Sequence, residues 1–167
     1  MPGTPSFSLY RLDDPLTRAE VLAEFAAFPD RLAAVVVQAT VGALERPATA
    51  GEWSPLQVLC HLRDAALVYA LRFRFIALNP ETFMPNMDEE RWVLHSRETL
   101  ADIPALLATI AASRADIARL LGRLGDADWA RIGRHEVLGP VALEAYVCHQ
   151  VVHERGHLAQ LRAALGL

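Results

Sequence analysis

Three histidines fall within nine consecutive positions: His149, His153 and His157, in Cys148-His149-Gln150-Val151-Val152-His153-Glu154-Arg155-Gly156-His157. On a helix, steps of four residues keep side chains on one face and drift by ~40° per step. Neighbours four apart can converge on one metal ion. The outer two lie ~12 Å apart along the axis at 1.5 Å per residue, so one ion cannot easily take all three. Val147, Val151, Leu158, Leu161 and Leu165 mark the apolar stripe. His157 lies nearest it, His153 next and His149 furthest round. The expected ligand pair is His153 and His157, with His149 at the rim.

A metal centre that does chemistry needs a third protein ligand and an open position. The expected third ligand is His61, in Trp53-Ser54-Pro55-Leu56-Gln57-Val58-Leu59-Cys60-His61-Leu62-Arg63-Asp64. Alone, His61 reads as a hydrogen-bonded core histidine. Facing a histidine pair on another helix, it reads as a ligand, which is how helix bundles build metal sites. Three neutral imidazoles leave a dication with open positions. A thiol bound there loses its proton and becomes a nucleophile. A water bound there has its pKa lowered towards ~7.

His153-Glu154-Arg155-Gly156-His157 also matches H-E-x-x-H, the zinc-protease helix. The residues that follow, Leu-Ala-Gln, lack the extended metzincin pattern, and no strand is expected to hold a peptide. Glu154 reads either as a general base beside the metal or as a solvated helix acid. Asp64 reads equally as a group orienting a ligand or as an arginine partner. Arg63, Arg72 and Arg74 read first as solvated helix arginines, and second as carboxylate binders. Cys60 and Cys148 read as small buried apolar residues, and Trp53, Trp92 and Trp129 as packing at helix ends. His95 and His135 lie outside the pattern, although the polar tip near His135 could line the mouth of the site.

These residues require long helices to position them. Helical periodicity begins at Thr17 and runs to about Gly42–Leu44, with Pro29 expected to kink or split it. Ser54 as N-cap and Pro55 in the first position start a second helix that Asn79-Pro80 ends near Leu78. A short helix is expected over Asp88 to His95. Asp102 caps a third long helix ending at Gly122 to Gly125. Ile132 to Val137 reads as a short extended segment, Pro140 as the start of the last helix, and Gly166 as its stop. No alternating run is long enough for a real sheet. The expected architecture is all-α, a four-helix bundle in one domain over residues 1–167, with 1–15 as an extended arm.

The chain has 167 residues, is 53% hydrophobic and 22% charged, and carries a net charge of −4. That sign argues against nucleic acid as a partner. No apolar stretch is long enough to span a bilayer. Met1-Pro2-Gly3-Thr4-Pro5 does not read as a signal peptide, and two cysteines are too few for a disulfide framework. The expected compartment is the cytoplasm.

Trp53-Ser54-Pro55 leading to His61-Leu62-x-Asp64, together with His153-Glu154-x-x-His157-Leu158-x-Gln160-Leu161, resembles the DinB/YfiT-like superfamily of metalloenzymes. (The name is shared with an unrelated DNA polymerase.) The stretch from Trp129 to Gly139 also looks family-like. The resemblance implies a four-helix bundle whose second and fourth helices hold a metal, zinc or nickel, through His61, His153 and His157. It also implies transfer chemistry on low-molecular-weight thiols such as bacillithiol, mycothiol or glutathione. The expected function is therefore a metal-dependent thiol S-transferase acting on a small-molecule substrate. The alternatives are a metal-dependent hydrolase using the same site, or a non-catalytic, stress-related metal-binding or dimerisation module. A homodimer is expected, with the alanines and valines of the first helix as its apolar surface.

Overall fold

A computed structural model describes residues 16–79, 81–100 and 102–167, with backbone only over 97–100. The arm expected over 1–15 lies outside the described residues. The chain order is α1 (Arg18–Val36), α2 (Val41–Glu45), α3 (Pro55–Leu78), β1 (Phe83–Met84), α4 (Glu89–Leu100), α5 (Ile103–Leu121), α6 (Asp126–Trp129), β2 (Ile132–His135), β3 (Gly139–Ala142) and α7 (Leu143–Leu165).

Local chemistry starts and stops the long helices. Thr17 caps α1 in a capping box with Glu20, and Ser54 does the same for α3 with Gln57. The Asp102 side chain accepts from Ala105 N at the start of α5. Gly166 ends α7 at φ 71°, a left-handed conformation that favours glycine.

Four long helices, α1, α3, α5 and α7, form the bundle, and two apolar clusters fill it. One holds Val21 and Phe25 of α1, Phe73 and Ile76 of α3, Ile117 and Leu121 of α5, and Leu143, Tyr146 and Val147 of α7. The other holds Phe28 and Leu32, Leu59 and Leu62, Leu106 and Ile110, and Leu158 and Leu161. The chain order of these residues sets the helix directions. α1 and α7 run from the first cluster to the second; α3 and α5 run the opposite way. Parallel α3 and α5 need a crossover, which the segment through β1 and α4 supplies. This differs from the up-down-up-down bundle, in which short loops join antiparallel neighbours.

Several expectations are corrected. α1 ends at Val36 rather than near Gly42–Leu44, and Thr40 caps the separate α2. Pro29 lies inside one unbroken α1, because Phe25, Phe28 and Leu32 anchor both sides of it in the core. α4 extends to Leu100 rather than stopping at His95. A small sheet exists, ordered β1-β2-β3, with β1–β2 parallel and β2–β3 antiparallel. Pro140 belongs to β3, so α7 begins later, at Leu143. Gly133 lets β2 lie against α3: a Cβ there would sit 2.6 Å from Ile76 Cγ1 and 2.9 Å from Met84 Cε. The valines of α1, Val21, Val35 and Val36, are buried in the core, whereas Ala19, Ala23, Ala26 and Ala34 are exposed. Among the described residues, no helix is long and apolar enough to cross a membrane.

Candidate metal centre

A polar layer separates the two apolar clusters. α3 contributes His61; α5 contributes Arg114, between Ile110 and Ile117; α7 contributes Gln150, His153, Glu154 and His157. All six are buried. Polar groups survive at such depth only when they satisfy one another or hold a ligand.

The three histidines converge through their Nε2 atoms. His61 Nε2 lies 2.9 Å from His153 Nε2, and His157 Nε2 lies 3.1 Å from the same atom. The Trp53 ring packs against His61 at 5.1 Å between centroids, so the Trp-Ser-Pro corner both starts α3 and seats its histidine. His157 Nδ1 lies 2.8 Å from Gln160 Oε1. An amide oxygen only accepts, so the contact puts the His157 proton on Nδ1 and leaves Nε2 as a lone pair. That lone pair faces His153 Nε2, which also faces His61 Nε2. One imidazole proton on His153 cannot serve both contacts well, whereas a cation among the three nitrogens satisfies all of them.

Electrostatics keep these rings neutral. Burial, then the neighbouring His157, pushes the His61 pKa down to about 3. Burial, the other histidines and the Arg114 cation hold His153 well below its usual value. Burial lowers His157, against the opposing contact with Gln160. Neutral imidazole is the form that ligates metal. Zinc–nitrogen distances of ~2.0–2.1 Å and tetrahedral angles correspond to nitrogens ~3.3 Å apart. The observed spacings lie within a few tenths of an ångström of that, so the donor set fits a divalent cation. Among the described residues, these three are the cluster of histidine, cysteine or carboxylate groups close enough to share an ion.

Other expected site residues lie elsewhere. The Glu154 carboxylate is outside the cluster, ion-paired with Arg114 from α5 and accepting from Gln150 Nε2 at 3.2 Å. Burial pushes its pKa up, against Arg114. Glu154 is thus neither a solvated acid nor a free one. Asp64 takes the arginine partner: its carboxylate lies 2.8 Å from Arg63 Nε and accepts from Ser96 Oγ at 2.7 Å. Arg74 pairs with Asp116. Arg72 is 8% exposed, not a solvated helix arginine. His149 is half-buried, with its ring 6.2 Å from that of His153 and 6.3 Å from that of Tyr146.

Arg114 escaped the sequence reading, and Gln160 stood there within the motif without a role. Arg114 is visible in retrospect as a charge on the apolar stripe of α5. Gln160 stands one turn after His157, where a side chain can reach back to it.

The family model of the DinB superfamily matches residues 24–161. An Oceanobacillus iheyensis protein named as a candidate metal-dependent hydrolase is 22% identical over 146 residues, covering 87% of this chain and 84% of its own. Among solved structures, Bacillus subtilis YfiT superposes with a TM-score of 0.82 at 24% identity, over 89% of this chain and 87% of YfiT. YfiT is described as a candidate metal-dependent hydrolase with an unusual four-helix bundle topology. The four-helix bundle protein TT2238 superposes with a TM-score of 0.64 at 22% identity, over 88% of this chain and 99% of its own.

Proposed function

The chain belongs to the DinB superfamily, and on that premise we propose that it is a metal-dependent enzyme acting on a small molecule, with His61, His153 and His157 holding one zinc or nickel ion. The observation that carries this is the convergence of three neutral Nε2 atoms in a buried layer, with no carboxylate among them. A divalent cation held there supplies Lewis acidity and an open position at which a thiol or a water loses its proton. The chain's own contribution is orientation. Gln160 fixes the His157 tautomer, Trp53 seats His61, and the Arg114–Glu154 pair ties α5 to α7 beside His153.

We favour thiol S-transfer as the reaction. It needs no protein base, and the carboxylate nearest in sequence, Glu154, is engaged with Arg114. Hydrolysis is the second reading, favoured by the names that the Oceanobacillus and Bacillus relatives carry. It requires either metal-activated water alone or Glu154 released from Arg114 to act as a general base. A screen separates the two. Metal-loaded protein is offered an electrophile panel with and without bacillithiol, mycothiol and glutathione, and in parallel a panel of esters and amides. We expect thiol-dependent, metal-dependent conjugation that is lost in His157→Ala. Ester or amide cleavage without any thiol turnover would replace the transferase with the hydrolase. Purified protein that takes up no metal would favour the stress-related module. The homodimer is part of this proposal, with the exposed α3 stripe Leu67, Leu71 and Phe75 as the apolar surface in place of the buried α1 valines.

A further inference from the structure

Arg72 is the buried cation that the metal centre does not explain. Burying a charge is costly unless it is paired. Yet among the described residues no carboxylate comes within ion-pair distance of Arg72. Its guanidinium donates to Tyr146 Oη at 2.7 Å and to the Pro85 carbonyl. A guanidinium has five N–H donors, so others remain. Burial raises the pKa of the Glu89 carboxyl at the start of α4, and the Arg72 charge opposes that shift from beyond ion-pair distance.

The groups around Arg72 are donors as well. The Tyr69 and Tyr146 hydroxyls interact, with their rings 5.0 Å apart. Tyr146 Oη accepts from Arg72, so of the two phenolic O–H groups at most one is used between the phenols and the other is left to donate to a further acceptor. Burial raises the pKa of both phenols, so both keep their protons. His135 reaches the same place from β2, with its ring 6.2 Å from that of Tyr146. Its Nδ1 accepts from Val137 N at 3.2 Å and Leu138 N at 3.3 Å. In the neutral ring the proton then sits on Nε2, a donor with no hydrogen-bond acceptor among the described residues.

We propose that Arg72, Tyr146 and His135 form a carboxylate-binding subsite beside the metal centre, which selects substrates carrying a carboxylate at the end remote from the reacting group. A buried cation beside a phenolic O–H and an imidazole N–H, without a carboxylate within ion-pair distance, is complementary to a planar oxyanion. The subsite borders the triad directly. The Tyr69 ring touches both sides, 5.0 Å from Tyr146 and 6.2 Å from His153. His149 bridges Tyr146 and His153 along α7. This gives His149 a place as the wall between the carboxylate end and the metal end. The three donors come from α3, α7 and β2, so the small sheet has a purpose: Gly133 presses β2 onto α3 and brings His135 in.

The inference deepens the metal-enzyme reading and rests on it for the identity of the reacting end. Its test does not require turnover. Metal-free protein is titrated with butyrate, with its uncharged isostere butyramide, and with inorganic phosphate, following the His135 and tyrosine ring resonances by NMR. Without metal, a carboxylate cannot report by ligating the ion instead. Butyrate should shift these resonances saturably and butyramide should not. Arg72→Gln should weaken butyrate by roughly tenfold or more, the scale of a charge-assisted hydrogen bond. Arg72→Lys should restore part of the loss, and Tyr146→Phe should weaken binding by a smaller factor. Should Arg72→Gln fail to fold, by circular dichroism, Arg72→Lys and His135→Gln carry the comparison. Equal binding of butyrate and butyramide, or butyrate binding unaffected by these changes, would overturn the subsite. Phosphate binding well above butyrate, with the same Arg72 dependence, would overturn the carboxylate assignment. Zinc stoichiometry is measured on each protein. Full zinc uptake without butyrate binding defeats this inference alone, whereas butyrate binding without zinc uptake defeats the metal reading alone.

Discussion

The Arg114–Glu154 pair decides whether Glu154 is a strut or a base, and it can be broken deliberately. Both side chains are at most 3% exposed, so solvent does not screen them. Removing one partner of such a pair leaves an uncompensated buried charge and costs ~3–5 kcal/mol. That is a large share of the ~5–15 kcal/mol that holds a typical domain together. Arg114→Met and Glu154→Gln should each fall in that range at pH 7, measured by urea denaturation of the metal-free protein. The Arg114→Met, Glu154→Leu double variant removes both charges and should lose far less than the sum of its single variants, since apolar replacement of a buried pair is often close to neutral. The cycle also bears on mechanism. If Glu154→Gln abolishes turnover only in proportion to lost folded protein, Glu154 is structural. Single variants that each cost under ~1 kcal/mol and add without coupling would refute the strut, and would return Glu154 to the role of general base.

Gln160→Leu should weaken zinc binding by roughly 10–100-fold, the usual effect of losing a partner that orients a ligand, with only ~0.5–1.5 kcal/mol lost in stability; a metal titration with a competing chelator reads it, and unchanged affinity would contradict the tautomer argument. Acid should destabilise the metal-free protein. Burial places His61 at about 3 and His149 at about 4, with His153 and His157 also lowered. A depressed histidine is protonated first in the unfolded chain, so its stability contribution is whole above ~6.5 and drains as pH falls towards the folded-state value. The urea midpoint should drop between pH 6.5 and 4, and zinc should move that drop to lower pH; a flat profile would contradict it. Sedimentation at micromolar concentration should give the mass of two chains, and Leu71→Glu should give one; a wild-type mass of one chain would end the dimer proposal.

The helices and the triad are legible in sequence because each rests on local chemistry. Ser54-Pro55 announces α3, and the four-residue step from His153 to His157 aligns two donors whatever surrounds the helix. Selecting His61 as their partner needed only an apolar helix face on which a histidine is out of place. The sheet was not legible, because strands of two to four residues are too short to show alternation. Pro140 was misread for the same reason: proline suits both a helix start and an edge strand. Asp64 could not be decided, since His61 stands three residues before it on the same helix face and Arg63 stands beside it. The Arg72 cluster joins α3, β2 and α7 across 74 residues of chain, from Arg72 to Tyr146, with His135 between them. No single periodicity spans that separation; only the folded sheet brings His135 to Tyr146.

The central claim is that His61, His153 and His157 hold one divalent ion. Zinc and nickel content per chain, measured by elemental analysis on wild-type protein and on His61→Ala, His153→Ala, His157→Ala and His149→Ala, tests it most directly. The account predicts one ion per wild-type chain, loss of most of it in each of the first three variants, and near-full retention in His149→Ala. Full occupancy in all three triad variants, or a wild-type protein that takes up no metal when supplied with it, would contradict the account.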